Sequence, residues 1–583
     1  MKRRLWGAVI LLALGCGVVF AIGALEQALK AKPELPALLP EGALLSIEAR
    51  DFSSLLRDWN TSEEKRAWLT SDNYSAFSNS RLFGRLSQAQ NEFSAAAGLP
   101  TDADLLNRVA GRESCLGLYD IGNLEFVYVT RLEQQRIEST PLWQIRGKFE
   151  QRTEAGTTFY VHKDAQSSRV AAFAAKDGWL ILGTREDLVA GVLDRLAGVS
   201  SHNLLGEGWY AEAVKQAAAN PAEADRGDLR MVLNLDKIVR TPYFRSYWVR
   251  RNITELKQYT SAVTDLYRTR ESYREARVLL RRASKDTVPG GDIAALVALA
   301  PDDAGFYAAD ALPDPEDLLQ RLREDLLEVK PEQTARTEVD APSSVATVNA
   351  GSASQLDVRI DEAPITPPTV DAFESLRRLL RSQQPVASLA VFAARPPRDG
   401  VFVTLQTGMV ISAPRDWDEN AVRDAVTSAL PSGLSAGKLG VHWEKRSSAA
   451  GNYLALDGAL PLYIEVNGKQ LLLANDSSLL EQMLVRRQLA GQAAGRDGVT
   501  YTALFRHTHE QENFRLLMVQ LDQAGRPSGA GQQGVPANAQ SPSFFSGNMA
   551  GLGRVFSKVE SEKLEEKDQG TRVLQTVTYR WVQ

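Results

Sequence analysis

The feature that most constrains the fold of this chain is a segment that occurs twice. Residues 156–198 and 451–491 each contain two strand-like runs, a glycine turn, a leucine-rich strand and a helix that ends in Leu-Ala-Gly. The flanking segments recur in the same order, pairing 38–59 with 299–322, 109–132 with 386–410, and 229–235 with 500–505. We therefore predict an α+β fold with two related halves, each an antiparallel sheet with packed helices.

Local signals in the first copy predict its elements. A β-hairpin is expected at 109–132, around Gly122-Asn123. Three more strands are expected at 159–162, 170–175 and 179–182. A helix then covers 184–196, with Thr184 as its N-cap and Gly198 just beyond its end.

Segments outside the repeat complete the prediction. A long helical region is expected at 63–97, and a charged amphipathic helix at 247–284, between the two copies. At the C-terminus, 552–566 and 572–582 alternate polar and apolar residues around 568–570. This pattern predicts a hairpin that adds the last strands to the second sheet.

The length of 583 residues requires more than one domain, because hydrophobic cores stop growing at about 250–300 residues. We expect a first α+β domain with helical insertions at 31–285 and a second at 286–583. Residues 330–371 and 522–548 have a biased composition without helical or strand period, which indicates flexible stretches. Residues 1–30 form a separate leading segment.

The leading segment is expected to be a transmembrane anchor. No charged side chain occurs from Leu5 to Leu25, and about 20 apolar residues span a hydrocarbon core of roughly 30 Å. Lys2, Arg3 and Arg4 precede this run and charges of mixed sign follow it, so the N-terminus is expected in the cytoplasm. A single pass through the inner membrane then leaves the bulk of the chain in the periplasm. The anchor residues are Leu5, Trp6, Ile10, Leu14, Val18, Phe20, Ile22 and Leu25.

Two other interpretations of this segment stay open. Small residues at 21–24 offer a signal-peptidase site, although the apolar run exceeds the usual length of roughly 7–15 residues. Leu14-Gly15-Cys16 resembles a lipoprotein acylation site, although Ala13 is unusual three places before the cysteine.

Charge and cysteine content restrict the function classes. The net charge is −5, from 67 basic and 72 acidic residues, which argues against a dedicated nucleic-acid-binding protein. Of the two cysteines, Cys16 lies in the anchor, so no disulfide is expected and burial must hold the exported fold. Cys115 lies in an alternating run and is expected to be a small buried residue.

Two segments match catalytic motifs in sequence but lack the surrounding secondary structure that those motifs require. Residues 433–437 fit G-x-S-x-G, but a helix is expected before them and a strand after them, the reverse of a nucleophile elbow. Residues 529–534 have the spacing of a dinucleotide-binding loop without a βαβ unit. In a strand His507 and His509 would point to one face, as two metal ligands could, but the other histidines are far apart in sequence, so a solvated surface pair is favoured over a metal site. No catalytic residue and no cofactor are predicted.

A family resemblance rests on turns and caps. The anchor, the opening LLPEG at 38–42, and the segments YDIG at 119–122 and TREDL at 184–188 resemble an uncharacterised family of large exported bacterial proteins. The extracytoplasmic part of that family is a domain of unknown function. The likeness covers most of residues 38–310 and weakens beyond them. It implies an architecture and a compartment, and it carries no catalytic residue.

These features favour a membrane-anchored extracytoplasmic binding or scaffold protein of the bacterial envelope, acting through a cleft between its halves. Its partner would be an envelope protein, a lipid or a glycan, and no nucleic acid. One alternative is a hydrolase of envelope polymers that uses two carboxylates about 5–10 Å apart, one of them buried. Another is a carrier of an apolar ligand with a deep cavity lined by Leu and Val. Whether the protein is an enzyme stays open, with a binding role favoured.

Overall fold

A computed structural model describes residues 34–70, 74, 77–79, 81–219, 227–242, 256–287, 293–312, 314–327, 372–395, 404–430, 441–457, 460–489, 498–510 and 558–582. The expected anchor, the stretches 330–371 and 522–548, and the motif segments 433–437 and 529–534 lie outside these residues. Within them, no helix is long and apolar enough to cross a membrane.

The described residues group into two compact units, each with an antiparallel sheet. The first unit comprises 34–54, 89–212 and 241–242, and the second comprises 55–88, 213–240 and the described residues from 256 onward. The predicted α+β class is confirmed, because helices pack on antiparallel sheets in both units.

Seven described strands form the sheet of the first unit: β1 Leu45–Ala49, β2 Ser114–Asp120, β3 Glu125–Arg131, β4 Glu150–Glu154, β5 Thr157–Lys163, β6 Val170–Lys176 and β7 Trp179–Gly183. Their order in the sheet is β1-β2-β3-β7-β6-β5-β4, and all neighbours are antiparallel. The predicted hairpin is β2-β3, and the three predicted strands are β5, β6 and β7. The edge strand β4 was not predicted.

Thirteen described strands belong to the second unit: β8 Leu229–Leu233, β9 Tyr259–Arg268, β10 Ser272–Arg281, β11 Phe306–Leu312, β12 Val386–Arg395, β13 Thr404–Ser412, β14 Glu444–Ser448, β15 Gly451–Leu456, β16 Leu462–Asn467, β17 Gln470–Ala474, β18 Tyr501–Arg506, β19 Val559–Asp568 and β20 Arg572–Trp581. Their order is β8-β9-β10-β20-β19-β18-β11-β12-β13-β17-β16-β15-β14, antiparallel throughout. The predicted C-terminal hairpin is β19-β20, and it joins this sheet through pairing of β19 with β18 and of β20 with β10.

The helices with described bounds are α1 Phe52–Thr61, α2 Glu63–Leu69, α3 Arg81–Ala97, α4 Ala103–Val109, α5 Gln134–Ser139, α6 Pro141–Gln144, α7 Glu186–Leu196, α8 Gly208–Ala218, α9 Leu235–Ile238, α10 Ile293–Val297, α11 Pro315–Leu322, α12 Glu374–Ser382, α13 Glu419–Ala429 and α14 Ser477–Leu489. Short 3-10 turns cover Leu35–Leu38, Arg146–Lys148 and Leu204–Gly206, and a π turn covers Arg323–Leu327.

One helix in each unit covers its sheet with the same pattern of buried side chains. In α7 the buried residues are Leu188, Val189, Val192 and Leu193, and in α14 they are Leu479, Leu480, Met483 and Leu484. This spacing places four apolar side chains on one helical face. In both helices the pattern begins five residues after the end of the preceding strand, β7 or β17.

The prediction of a helix at 247–284 is wrong for the part that the structure describes. From Tyr259 onward this segment forms the hairpin β9-β10. The charged residues Glu275 and Arg277 alternate with the buried Ala276 and Val278, which is the period of a strand. Pairing of β10 with β20 settles the outcome, because tertiary context overrides local propensity.

The prediction that Thr184 caps a helix is also wrong. The helix α7 begins at Glu186, and its N-cap residue is Arg185, whose side chain makes no capping hydrogen bond. The Thr184 hydroxyl instead accepts a hydrogen bond of 2.8 Å from the backbone nitrogen of Phe126 in β3. The helix end is as predicted, because Gly198 follows it in the left-handed region with φ of 72°.

Candidate functional site

The histidine pair considered as metal ligands does not lie in a strand. The strand β18 ends at Arg506, and residues 507–510 are helical, so His507 and His509 do not point to one face. His507 packs edge-on against Phe505, and its Nε2 lies 3.9 Å from a carboxylate oxygen of Glu562. Among the described residues, no group of three or more His, Cys, Asp or Glu side chains is arranged to hold a metal ion.

Cys115 is a buried structural residue, as predicted. Its side chain lies in β2 with none of its surface exposed, and it is a free thiol. Burial raises the pKa of the Cys115 thiol far above its ordinary value, so the reactive thiolate is strongly disfavoured in the folded unit.

One cavity of the first unit is rich in carboxylates. It has a volume of about 440 Å³ and lies between the edge hairpin β4-β5 and the first turns of α7. Its walls are Arg152, Thr153, Glu154, Phe159, Glu186, Asp187 and Ala190. Arg152 Nε lies 3.5 Å from Glu186 Oε1, and the Arg185 guanidinium pairs with Asp187 beside the cavity.

The negative charge of Glu154, which lines this cavity, is destabilised by a neighbouring carboxylate. The negative charge of Asp194, followed by a side-chain hydrogen bond with Asp194, raises the pKa of Glu154 above its ordinary 4.5. Both residues are half-buried. This arrangement differs from the one expected of an envelope hydrolase, because the two carboxyl groups are in direct contact and neither is fully buried.

A second cavity of the first unit, which we call the arginine pocket, has a different chemistry. It has a volume of about 400 Å³ and lies between α4 and α5. Its walls are Asp104, Asn107, Arg108, Arg136 and Ser139, all of which are exposed to solvent. The pocket therefore combines two permanently charged guanidinium groups with one carboxylate at its rim.

The fold fixes the backbone on both sides of the arginine pocket. Arg108 directly precedes Val109, which is 3% exposed, and Arg136 directly precedes the fully buried Ile137. Both apolar residues belong to the core cluster under the sheet. Nη2 of Arg136 also donates a hydrogen bond of 3.3 Å to the carbonyl oxygen of Ala110. The two arginines therefore project from rigid positions on short helices that flank the hairpin β2-β3.

The guanidinium of Arg108 differs from that of Arg136. Within the described parts of the chain it makes no hydrogen bond, ion pair or ring contact, and the same holds for the carboxylate of Asp104. These two residues are one helical turn apart in α4 and still do not pair with each other. Both charged groups are exposed to solvent.

In the second unit, the arginines of the helix before β12 are neutralised. Helix α12 precedes β12 as α4 precedes β2, and its Arg377 and Arg381 contact the two carboxylate oxygens of Glu316 at 3.0 and 2.9 Å. Glu316 is the second residue of α11, the helix that follows β11. In the first unit the second residue of the helix after β1 is Ser53, which has no charge.

Sequence reasoning missed the arginine pocket. Arg108 and Arg136 are separated by two strands and belong to no motif of fixed spacing. A signal was present, because each arginine directly precedes an apolar residue of the core and therefore has a fixed backbone. That signal occurs at many surface arginines, so it could not single out these two.

No protein-family model matches the chain, and no curated protein matches it. A solved structure, crystal form I of TP0453, is similar with 9% sequence identity and a TM-score of 0.23, covering 44% of this chain and 82% of that chain. A similarity at this TM-score carries no argument about fold or function.

Proposed function

We propose that the protein is a membrane-anchored binding protein of the bacterial envelope, with its bulk outside the cytoplasm, and that it engages an envelope component at the arginine pocket. The apolar run from Leu5 to Leu25 supports the anchor, and its preceding basic residues support the orientation. The resemblance to exported bacterial proteins of unknown function supports the same compartment.

The observation that carries the binding role is the arginine pocket. Two guanidinium groups line one cavity, and the backbone of each is held by the core. Positioned arginines recognise carboxylate and phosphate groups through their planar set of donors. A surface built in this way favours recognition of a ligand over a purely structural role.

We further propose that the two units contain copies of one duplicated α+β unit. The order β11-β12-β13-β17-β16-β15-β14 repeats the order β1-β2-β3-β7-β6-β5-β4. The edge strands β4 and β14 also agree in sequence and contact, because Arg152 lies 2.7 Å from Glu150 and Arg446 lies 3.4 Å from Glu444. In this view the copies diverged at the helix that follows β1 or β11, where Ser53 occupies the position of Glu316.

Crosslinking in intact cells tests the binding role. A photo-crosslinking amino acid at Ser139, at the rim of the pocket, is expected to capture an envelope component. Capture should be lost when Arg108 and Arg136 are both replaced by alanine. The variant Arg112→Ala is the matched control, because the Arg112 side chain is 84% exposed and does not line the pocket. Recovery of the protein alone, or equal capture by all variants, would contradict the proposal.

Reporter fusions test the compartment. A C-terminal fusion to a periplasm-active enzyme is expected to be active, and deletion of residues 1–30 should abolish that activity. Activity of a cytoplasmic reporter at the same position would show the opposite orientation. Sequencing the N-terminus of the mature protein distinguishes the retained anchor from a cleaved or acylated segment.

A further inference from the structure

We infer that the arginine pocket binds a small zwitterion of the peptide type, with its carboxylate on Arg108 and Arg136 and its ammonium on Asp104. This inference rests on the proposed binding function and specifies the class of ligand. It follows from the charges that line the pocket, two guanidinium groups and one carboxylate, and from the lack of a protein partner for Arg108 and Asp104 among the described residues.

The two arginines provide the carboxylate site. Arg136 uses Nη2 on the carbonyl of Ala110, which orients the guanidinium and leaves its other nitrogen donors for a ligand. Arg108 has no protein partner within the described residues, so all of its donors are available. A carboxylate accepts two parallel hydrogen bonds from one guanidinium and still offers further lone pairs to the second.

The carboxylate of Asp104 favours a zwitterion over an inorganic anion as the ligand. It lines the same cavity as the arginines and pairs with neither of them in the described structure. A carboxylate in this place repels a phosphate dianion, and it attracts an ammonium group at the other end of a ligand. A ligand with one carboxylate and one ammonium therefore matches the three charges better than an inorganic anion does.

The pocket is an open site on the surface. It has a volume of about 400 Å³, and all of its lining residues are exposed to solvent. The walls are polar, with hydroxyl and amide groups from Ser139 and Asn107 beside the charged ones. The Ser139 hydroxyl already donates to the carbonyl oxygen of Arg136, so it offers its lone pairs to the peptide N–H of a dipeptide.

Isothermal titration calorimetry on the full chain in detergent tests this assignment with four matched probes. The probes are the dipeptide Ala-Ala, its C-terminal amide, its N-acetyl derivative and inorganic phosphate. We expect Ala-Ala to bind most tightly. Loss of the carboxylate in the amide should weaken binding about 10-fold or more, because it removes charge-assisted hydrogen bonds to both arginines. The N-acetyl derivative should bind several-fold more weakly than Ala-Ala, because only the contact with Asp104 is removed.

Three variants assign each charge to its residue. Arg108→Lys keeps the charge and loses the planar set of donors, so binding of Ala-Ala should fall about 10-fold. Arg136→Lys should have a similar effect. Asp104→Asn should abolish the preference for Ala-Ala over its N-acetyl derivative. Arg112→Ala should bind all four probes as the unmodified protein does.

Two results would overturn the inference. Tighter binding of phosphate than of Ala-Ala would assign the pocket to a phosphate group. Equal binding of Ala-Ala and its amide, or no binding of either, would remove the carboxylate site. Either result leaves the proposed function intact if crosslinking in cells still captures an envelope component through Arg108 and Arg136. Absence of that crosslink fails the proposed function itself.

Discussion

The backbone nitrogen of Thr407 donates a hydrogen bond of 2.7 Å to Oδ1 of Asn475, the residue that directly follows β17. The backbone nitrogen of Asn475 returns a hydrogen bond of 3.0 Å to the carbonyl oxygen of Thr407. Thr184, which directly follows β7, makes the same two contacts with Phe126, at 2.8 and 3.1 Å. In each unit a polar side chain thus extends the sheet by one residue beyond the strand.

Removing this side chain should destabilise each unit. In Asn475→Ala the amide of Thr407 loses its partner at a position where the Thr407 side chain is 3% exposed. An unsatisfied buried donor costs about 1–3 kcal/mol. Thr184→Val should have a comparable effect, because the backbone N–H of Phe126 loses its acceptor. Thr184→Ser keeps a hydroxyl at this position, so it should retain most of the free energy of unfolding. The measurement is the free energy of unfolding in urea.

The matched control for these variants is Thr158→Val. Thr158 is an exposed residue of β5, so its hydroxyl contributes little and the β-propensity of valine is high. We expect a change within about 0.5 kcal/mol. If Thr184→Val costs no more than Thr158→Val, the hydrogen bond to Phe126 does not stabilise the fold.

A buried ion pair gives a second prediction. Glu465 in β16 and Arg487 in α14 form two parallel contacts, at 2.6 and 2.8 Å, and only 7% of the glutamate side chain is exposed. Arg487→Ala leaves a buried carboxylate without its cation, which should cost about 3–5 kcal/mol of unfolding free energy. The double variant Glu465→Leu with Arg487→Met should recover most of this, because well-packed apolar residues replace such pairs at little cost.

The control for the ion pair is Arg423→Ala. Arg423 contacts Asp424 at 3.0 Å, and the aspartate side chain is 70% exposed. Water screens such a surface pair, so its loss should change the free energy of unfolding by less than about 1 kcal/mol. Equal losses for Arg487→Ala and Arg423→Ala would show that burial of Glu465 does not determine the outcome.

Much of the fold could be predicted from the sequence because its signals are local. The glycine turns and leucine-rich strands of 156–198 and 451–491 indicated the strands and their closing helices. The failure at β9 and β10 has a physical reason. Short amphipathic runs fit both helical and strand periods, and the deciding contact pairs Ser272 with Arg580, more than 300 residues away.

The arginine pocket could not be predicted for a related reason. Arg108 and Arg136 come together because β2 and β3 form a hairpin whose ends lead into α4 and α5. The hairpin itself was predicted, but the two helices are short and carry no periodic signal. Whether the arginines are neutralised also depends on residues that are distant from them in sequence. The comparison of Ser53 with Glu316 requires the strand order of both units.

Cys115 gives a third prediction, on thiol reactivity. In a Cys16→Ala variant, Cys115 is the only thiol in the chain. Because burial raises its pKa, an aromatic disulfide reagent at pH 8 should label it only at the rate at which the first unit opens. The same reagent should label it fully within minutes in 6 M guanidinium chloride, roughly the range in which most domains unfold. Fast and complete labelling of the folded protein would contradict the buried position in β2.

The carboxyl pair Glu154 and Asp194 gives a prediction on pH. The negative charge of Asp194 raises the pKa of Glu154 above 4.5, so the folded state binds this proton more tightly than the unfolded state does. A group with a raised folded pKa stabilises the fold fully below its unfolded pKa, and this contribution is lost as the pH rises through the folded pKa. Asp194→Asn removes the repulsion, so the pKa of Glu154 should fall towards 4.5. Relative to this variant, the unmodified protein should lose stability as the pH rises above 4.5.

Carbon-detected NMR titration of the Glu154 carboxyl measures the pKa directly, and urea unfolding at pH 4 and pH 7 measures the linked change in stability. Glu186→Gln is the control, because Glu186 lines the same cavity and does not contribute to the shift of Glu154. That variant should leave the pKa of Glu154 unchanged, since its own contact is with Arg152. If Asp194→Asn and Glu186→Gln shift the pKa of Glu154 equally, the charge of the whole cavity, and not contact with Asp194, governs its protonation.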